Sequence, residues 1–138
     1  PFYYRRQLKM PKYIVNASGD QFFLPDSSQF YFDRLEGEKH LRYVPNADHS
    51  LDGSDALETI VAFYSMILAD RPRPEYSWTV ESDGSIHVKT VQKPAEVKLW
   101  QATNPDARDF RVETLGRKYT ATDLADQGGD GHQERKCQ

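Results

Sequence analysis

An aspartate and a histidine, Asp20 and His49, each stand just beyond a short apolar run, in K-Y-I-V-N-A-S-G-D-Q and H-L-R-Y-V-P-N-A-D-H-S-L. Such runs, rich in β-branched residues, read as buried strands, so each polar group emerges where a strand ends. A carboxylate delivered there can hold an imidazole by Nδ1 and leave Nε2 free to take a proton from a nucleophile, the chemistry of the acid and base of a catalytic triad. No third member is visible, because G-x-S-x-G occurs nowhere in the 138 residues. Plainer roles compete. Asp20 follows Gly19, where an aspartate commonly bonds its own backbone in a turn, and a loop histidine ordinarily makes unspecialised hydrogen bonds. Asp26 is the rival carboxylate, although its place beside Pro25 and ahead of Gln29 suits a helix cap.

The elements that must position this pair follow from periodicity. Lys12 to Asn16 reads as a buried strand, and Ser18-Gly19 ends it with a tight turn. Pro25-Asp26 can start a helix, Asp26 as N-cap with Gln29 in the reciprocal capping position. That helix carries Gln29 to Arg34, stops near Gly37 and packs Phe30, Tyr31 and Phe32 on the sheet. Phe22, Phe23, Phe30 and Phe32 read mostly as core, with the lining of a substrate pocket near Asp20 as the alternative. His40 to Val44 is the next strand, closed by Pro45. Strand, helix, strand implies a parallel pair with a right-handed crossover. From Ser54 the spacing of Leu57, Ile60, Val61, Tyr64 and Leu68 predicts a helix of about four turns with one apolar face. The run Arg71-Pro72-Arg73-Pro74 ends it and marks a boundary near residue 72.

Beyond that boundary the period becomes two. Tyr76, Trp78 and Val80 alternate with polar residues, Asp83-Gly84 supplies a hairpin turn, and Ile86 and Val88 lie on the return strand. Val97, Leu99 and Trp100 predict another strand, Phe110 with Val112 a further one, and Asn104-Pro105-Asp106 a turn. The region reads as one side of a small sandwich, whose Trp78 and Trp100 offer either core or a flat binding surface. The tail from Asp126 has no apolar periodicity and reads as disordered.

Composition narrows the function classes. Hydrophobic residues at 38% and aromatics at 12% are enough for a packed core, and a net charge of −3 gives no reason to expect a nucleic-acid surface. No apolar run approaches the roughly 20 residues that span a bilayer, and the N-terminus holds no secretory segment. The single cysteine, Cys137, cannot form an internal disulfide and has no neighbour to activate it. His132 and Cys137 are too few for a metal site. Asp48, Ser50, Asp52 and Gly53 imitate the start of a calcium loop, but Thr59 stands where a bidentate glutamate belongs. No metal and no cofactor are expected.

The string P-K-Y-I-V-N-A-S-G-D-Q-F-F-L-P-D-S-S-Q-F-Y-F, with L-R-Y-V-P-N-A-D-H-S-L and the later W-Q-A-T-N-P-D-A-R-D-F-R, resembles the PhoPQ-activated pathogenicity-related family, also called the autocrine proliferation repressor family, over residues 3–124. That family is similar to the α/β-hydrolases. The resemblance implies an α/β fold: residues 1–71 as the C-terminal part of a hydrolase-like parallel sheet, 72–124 as an antiparallel sandwich-like module, and 125–138 as a disordered tail. It matches Asp20 to the triad acid and His49 to the triad base, in the chain order nucleophile, acid, histidine. The nucleophile and oxyanion hole would then lie upstream, making this chain the inactive C-terminal fragment of a serine hydrolase for a small-molecule or peptide substrate. The alternative is a secreted signalling or binding protein that leaves the scaffold catalytically unused and meets a protein partner through the β-rich module. Either way the resemblance points to a secreted or periplasmic protein.

Overall fold

Two runs with uninterrupted apolar centres, K-Y-I-V-N-A and K-H-L-R-Y-V, extend as strands β1 (Lys12–Ala17) and β2 (Lys39–Val44) and pair in parallel, Lys12 opposite Lys39 through Ala17 opposite Val44. The computed structural model describes residues 2–124 and 133–137. By its contacts the chain divides into two units, one formed by residues up to Ser65 with Ala102–Tyr119, the other by Met66–Gln101 with the chain from Thr120 onward. Residues 102–119 thus return to the first unit across the division expected at residue 72.

In the first unit the small apolar core lies at the C-terminal ends of β1 and β2. Ala17, Val44, Ala47 and Ala56 are buried together, with Val15 and Leu51 against them. Small side chains let the backbones at the strand ends approach closely, and the loops that carry Asp20 and His49 leave from there. Between the strands the expected helix is replaced by two 3-10 turns, Pro25–Phe30 and Phe32–Arg34. Tyr31, at φ −133, leaves helical geometry and separates them. Leu24 rather than Asp26 occupies the N-cap, with no side-chain hydrogen bond. Lys39 Nζ donates to the carbonyls of Phe32, Leu35 and Asp33 at 2.9, 3.0 and 3.1 Å, capping the C-terminal end of the second turn. Of the ring residues expected to pack there, Phe32 is 6% exposed whereas Phe30 is 69% exposed.

Helix α1 (Ala56–Leu68) forms where its spacing predicts. It meets the strand pair through Ala56, Thr59 and Phe63: Phe63 stacks on Tyr13 at 5.0 Å and lies edge-on to His40 at 5.4 Å, while the Arg42 guanidinium bonds Thr59 Oγ1 and the Asp55 carboxylate. The apolar stripe that announced the helix faces outward, with Leu57 71% and Val61 54% exposed.

In the second unit, β3 (Tyr76–Val80) and β4 (Ile86–Thr90) form the expected hairpin, Trp78 opposite Val88, with Gly84 at φ 82 in its turn. Strand β5 (Lys98–Gln101) pairs antiparallel with β6 (Thr120–Asp123), and β7 (Gln133–Cys137) adds to β4. The strand expected at Phe110–Val112 is instead a single turn of helix, α2 (Val112–Leu115). The disorder expected for the tail does not hold at β7, since main-chain pairing to β4 needs no apolar side chains, and residues 125–132 lie outside the described residues.

The fold expected from the resemblance is therefore corrected. Among the described residues there is no extended parallel sheet: β1–β2 is two-stranded, β3–β4–β7 three-stranded and β5–β6 two-stranded. Strands beyond residue 72 pair antiparallel among themselves, so none adds to β1–β2. Among the described residues no sandwich core is seen either, since no residue of β3, β4, β5 or β6 is buried, whereas a sandwich buries alternate side chains on facing sheets.

Candidate functional site

The turns leaving the two strands are locked together before either side chain is placed. Ser18 N–H donates to the Val44 carbonyl and Gly19 N–H to the Ala47 carbonyl, each at 3.0 Å. A Cβ on Gly19 would meet Val112 Cγ2 at 2.5 Å, so only glycine allows α2 to come this close. Asn46, in the left-handed region at φ 58, turns its amide onto Tyr119: Nδ2 donates to the Tyr119 carbonyl and Oδ1 accepts its N–H, both at 2.9 Å. Its own N–H donates to Ser18 Oγ at 3.1 Å. Residues 102–119 thus strap the aspartate loop to the histidine loop.

On this frame Asp20 and His49 meet. Nδ1 of His49 lies 3.0 Å from Asp20 Oδ2 and 3.2 Å from Oδ1. An ionised carboxylate only accepts, so Nδ1 carries a proton, and in the neutral ring that tautomer leaves the lone pair on Nε2. Asp20 Oδ1 also accepts the N–H groups of Phe22 and Phe23 at 2.7 and 2.9 Å. Burial by itself would push the carboxyl up, but the amides of Phe23 and Phe22 and the His49 ring outweigh it and hold Asp20 below the usual carboxylate value. The Asp20 side chain is 10% exposed and that of His49 40%, so the acid is enclosed and the ring open to an incoming group. Gln21 Oε1 accepts the His49 backbone N–H at 3.2 Å, and the rings of Phe22 and Phe23 flank the imidazole at 5.0 and 5.2 Å. Aspartate as turn former and aspartate as imidazole partner are thus compatible, since Asp20 does both.

Two clefts adjoin Asp20, and the smaller also reaches His49. One of about 220 Å³ has both Asp20 and His49 in its lining, along with Asn16 and Leu51. The other, of about 530 Å³, is lined by Asp20 together with Arg108, Phe110 and Tyr119. Phe23, Leu24 and Pro25 border both. Phe22 and Phe23 take the pocket alternative rather than the core: they are exposed beside Asp20, to which their amides are tied.

The rival Asp26 pairs with Arg108 at 2.6 Å, away from the histidine. Asp48 shapes the histidine loop, accepting Ser50 N–H at 3.0 Å and Ser50 Oγ–H at 2.6 Å, which keeps its carboxyl below the usual value. His40 faces Glu38 at 2.9 Å. Asn104 makes the expected turn, its Oδ1 accepting Asp106 N–H at 3.1 Å. Among the described residues no group of histidine, cysteine and carboxylates could hold a metal, and no helix is long and apolar enough to cross a membrane. His132 lies outside the described residues. Sequence reasoning had Ser18 only as part of a turn and passed over Gln21, Asn46 and Tyr119; of these three Asn46 alone carried a local signal, as an asparagine in a Pro-Asn turn, a residue type that tolerates the left-handed region.

Comparison with known proteins agrees with this stretch of the chain. Residues 1–111 match the family model described as PhoPQ-activated pathogenicity-related protein. The chain is 42% identical over 129 residues to autocrine proliferation repressor protein A of Dictyostelium discoideum, an alignment covering 83% of this chain and 26% of that protein. It therefore spans about a quarter of that relative's length. No solved structure matches. With Asp20, His49 and most of their supporting loops inside the matched region, the chain belongs to the PhoPQ-activated pathogenicity-related protein family.

Proposed function

We propose that Asp20 and His49 are the acid and base of a hydrolase that cleaves an ester or peptide bond by way of a serine nucleophile supplied from outside these 138 residues. The observation that carries this reading is the 3.0 Å contact between His49 Nδ1 and Asp20, which points the opposite ring nitrogen away from the carboxylate. In attack, Nε2 takes the serine proton as Oγ bonds to the carbonyl carbon; the imidazolium, stabilised by Asp20, then gives that proton to the leaving group. Water, deprotonated by the same nitrogen, releases the acyl group and regenerates the serine. A small-molecule ester or a peptide would occupy the clefts beside the ring. In the intact protein, His49→Ala is expected to lower turnover by at least about a thousandfold with the fold retained. Fluorophosphonate labelling, an active-serine readout, is expected for the wild type and greatly slowed in the variant. Unchanged turnover in His49→Ala would falsify the assignment.

A second reading draws on the name of the Dictyostelium relative, autocrine proliferation repressor. In that reading the protein is a secreted signal, the pair serves only as a loop clamp, and the β-rich unit meets a protein partner. Absence of fluorophosphonate labelling together with full biological activity of His49→Ala favours it.

A further inference from the structure

We infer that the larger cleft is a binding site for an uncharged apolar group, an aromatic ring above all, held beside Asp20. The inference deepens the hydrolytic reading by naming the substrate class, and rests on it only for what the ring is attached to.

Size and lining come first. About 530 Å³ falls within the usual range for small-molecule sites, and the walls are supplied by Phe22, Phe23 and Leu24 on one stretch and by Phe110 and Tyr119 on another. Phe110 and Tyr119 lie 6.4 Å apart, inclined at 50°, a geometry that offers a ring both a face and an edge. Phe22, Phe23 and Leu24 are exposed, so a ligand there would remove apolar surface from water.

Charge decides the class. Every ionised side chain lining the cleft already has a partner: Asp20 has two amides and His49, Asp26 has Arg108 at 2.6 Å, and Asp109 holds Arg111 through contacts of 2.9 and 2.6 Å. An ammonium entering the cleft would lose water while every carboxylate is already paired, and a carboxylate would have to share a guanidinium that already has a partner. A neutral ring displaces only water. The far wall is also pre-formed, since Asn46 clamps Tyr119 and Gly19 seats Val112, so little ordering remains to oppose binding. The Tyr119 hydroxyl is committed too, bonded to Ser18, and burial pushes its pKa up, keeping the phenol neutral.

The test uses three probes with one apolar body, phenylbutanol, phenylbutyrate and phenylbutylamine, titrated into the intact protein and followed by ligand-observed NMR. Phenylbutanol is expected to bind at least about fivefold more tightly than either charged probe, and Phe110→Ala to weaken it about tenfold. Phe110→Leu, which keeps an apolar wall, is expected to retain most of the affinity, so a folding defect is told apart from loss of the wall. Equal affinity for the three probes, indifference to Phe110→Ala, or preferential phenylbutyrate binding that disappears in Arg108→Gln would each overturn the inference. None of the probes has a bond to hydrolyse. Failure of fluorophosphonate labelling would therefore retire the hydrolytic reading and leave the cleft standing, whereas labelling without ring preference would retire only the cleft.

Discussion

At the scale of single residues, the site depends on one carboxylate doing two jobs. Asp20 gathers the amides of Phe22 and Phe23, which fixes its loop, and the same carboxylate orients His49. Its pKa is lowered in the folded chain from the ordinary 3.8, so the unfolded chain binds the proton more tightly. The stabilisation is consequently complete above the unfolded value and is lost as pH falls through the lower folded value. Asp20→Ala is expected to cost about 2 kcal/mol near neutrality. The gap between wild type and variant should narrow in urea unfolding curves as pH drops below 3.8. A gap that does not change with pH would mean that ionisation of Asp20 adds nothing to folding beyond what the neutral side chain contributes.

At the scale of elements, two features carry the geometry, the Asn46 turn and the inner face of α1. Asn46 contributes both a left-handed backbone and a side chain that pairs with Tyr119 like a neighbouring strand. The two contributions separate by mutation. Asn46→Gly loses the amide but keeps the backbone comfortable, whereas Asn46→Ala loses the amide and adds strain, and is expected to be less stable than the glycine variant by about 1 kcal/mol. Equal stability in thermal or chemical denaturation would remove the strain argument. For α1 the observed packing reverses the weight of neighbouring aromatics. Phe63→Ala breaks the stack on Tyr13 and the contact with His40 and is expected to cost about 3 kcal/mol. Tyr64→Ala, on the exposed face, should stay within about 0.5 kcal/mol of wild type. Comparing the two melting temperatures tests which face of the helix is inside.

At the scale of the whole molecule, apolar surface is more abundant than the core can cover. The first unit buries small side chains, while Leu57, Ile60, Val61 and Tyr64 form a continuous exposed stripe on α1. Exposed patches of that kind promote association. The 138-residue chain expressed alone is accordingly expected to bind a hydrophobic dye and to elute from a sizing column as aggregate, and Leu57→Lys with Val61→Glu to shift it toward monomer. A monomeric wild type with a sharp thermal transition would contradict this. By itself the sequence determined the local features: the β1 and β2 runs, the extent of α1, the Asp-Gly hairpin, and the placing of an aspartate and a histidine just past two strand ends. These depend on periodicity and turn chemistry, which act over a few residues. Only the tertiary structure decided the rest. Whether the Leu57 stripe or the Phe63 side faced inward depended on what was present to cover each, and the expected helix breaks at Tyr31, whose backbone leaves helical geometry at φ −133. The return of residues 102–119 to build the second wall of the cleft rests on contacts such as Asn46 to Tyr119, distant in the chain and silent in any local pattern, because a hydrogen bond between loops leaves no period in either one.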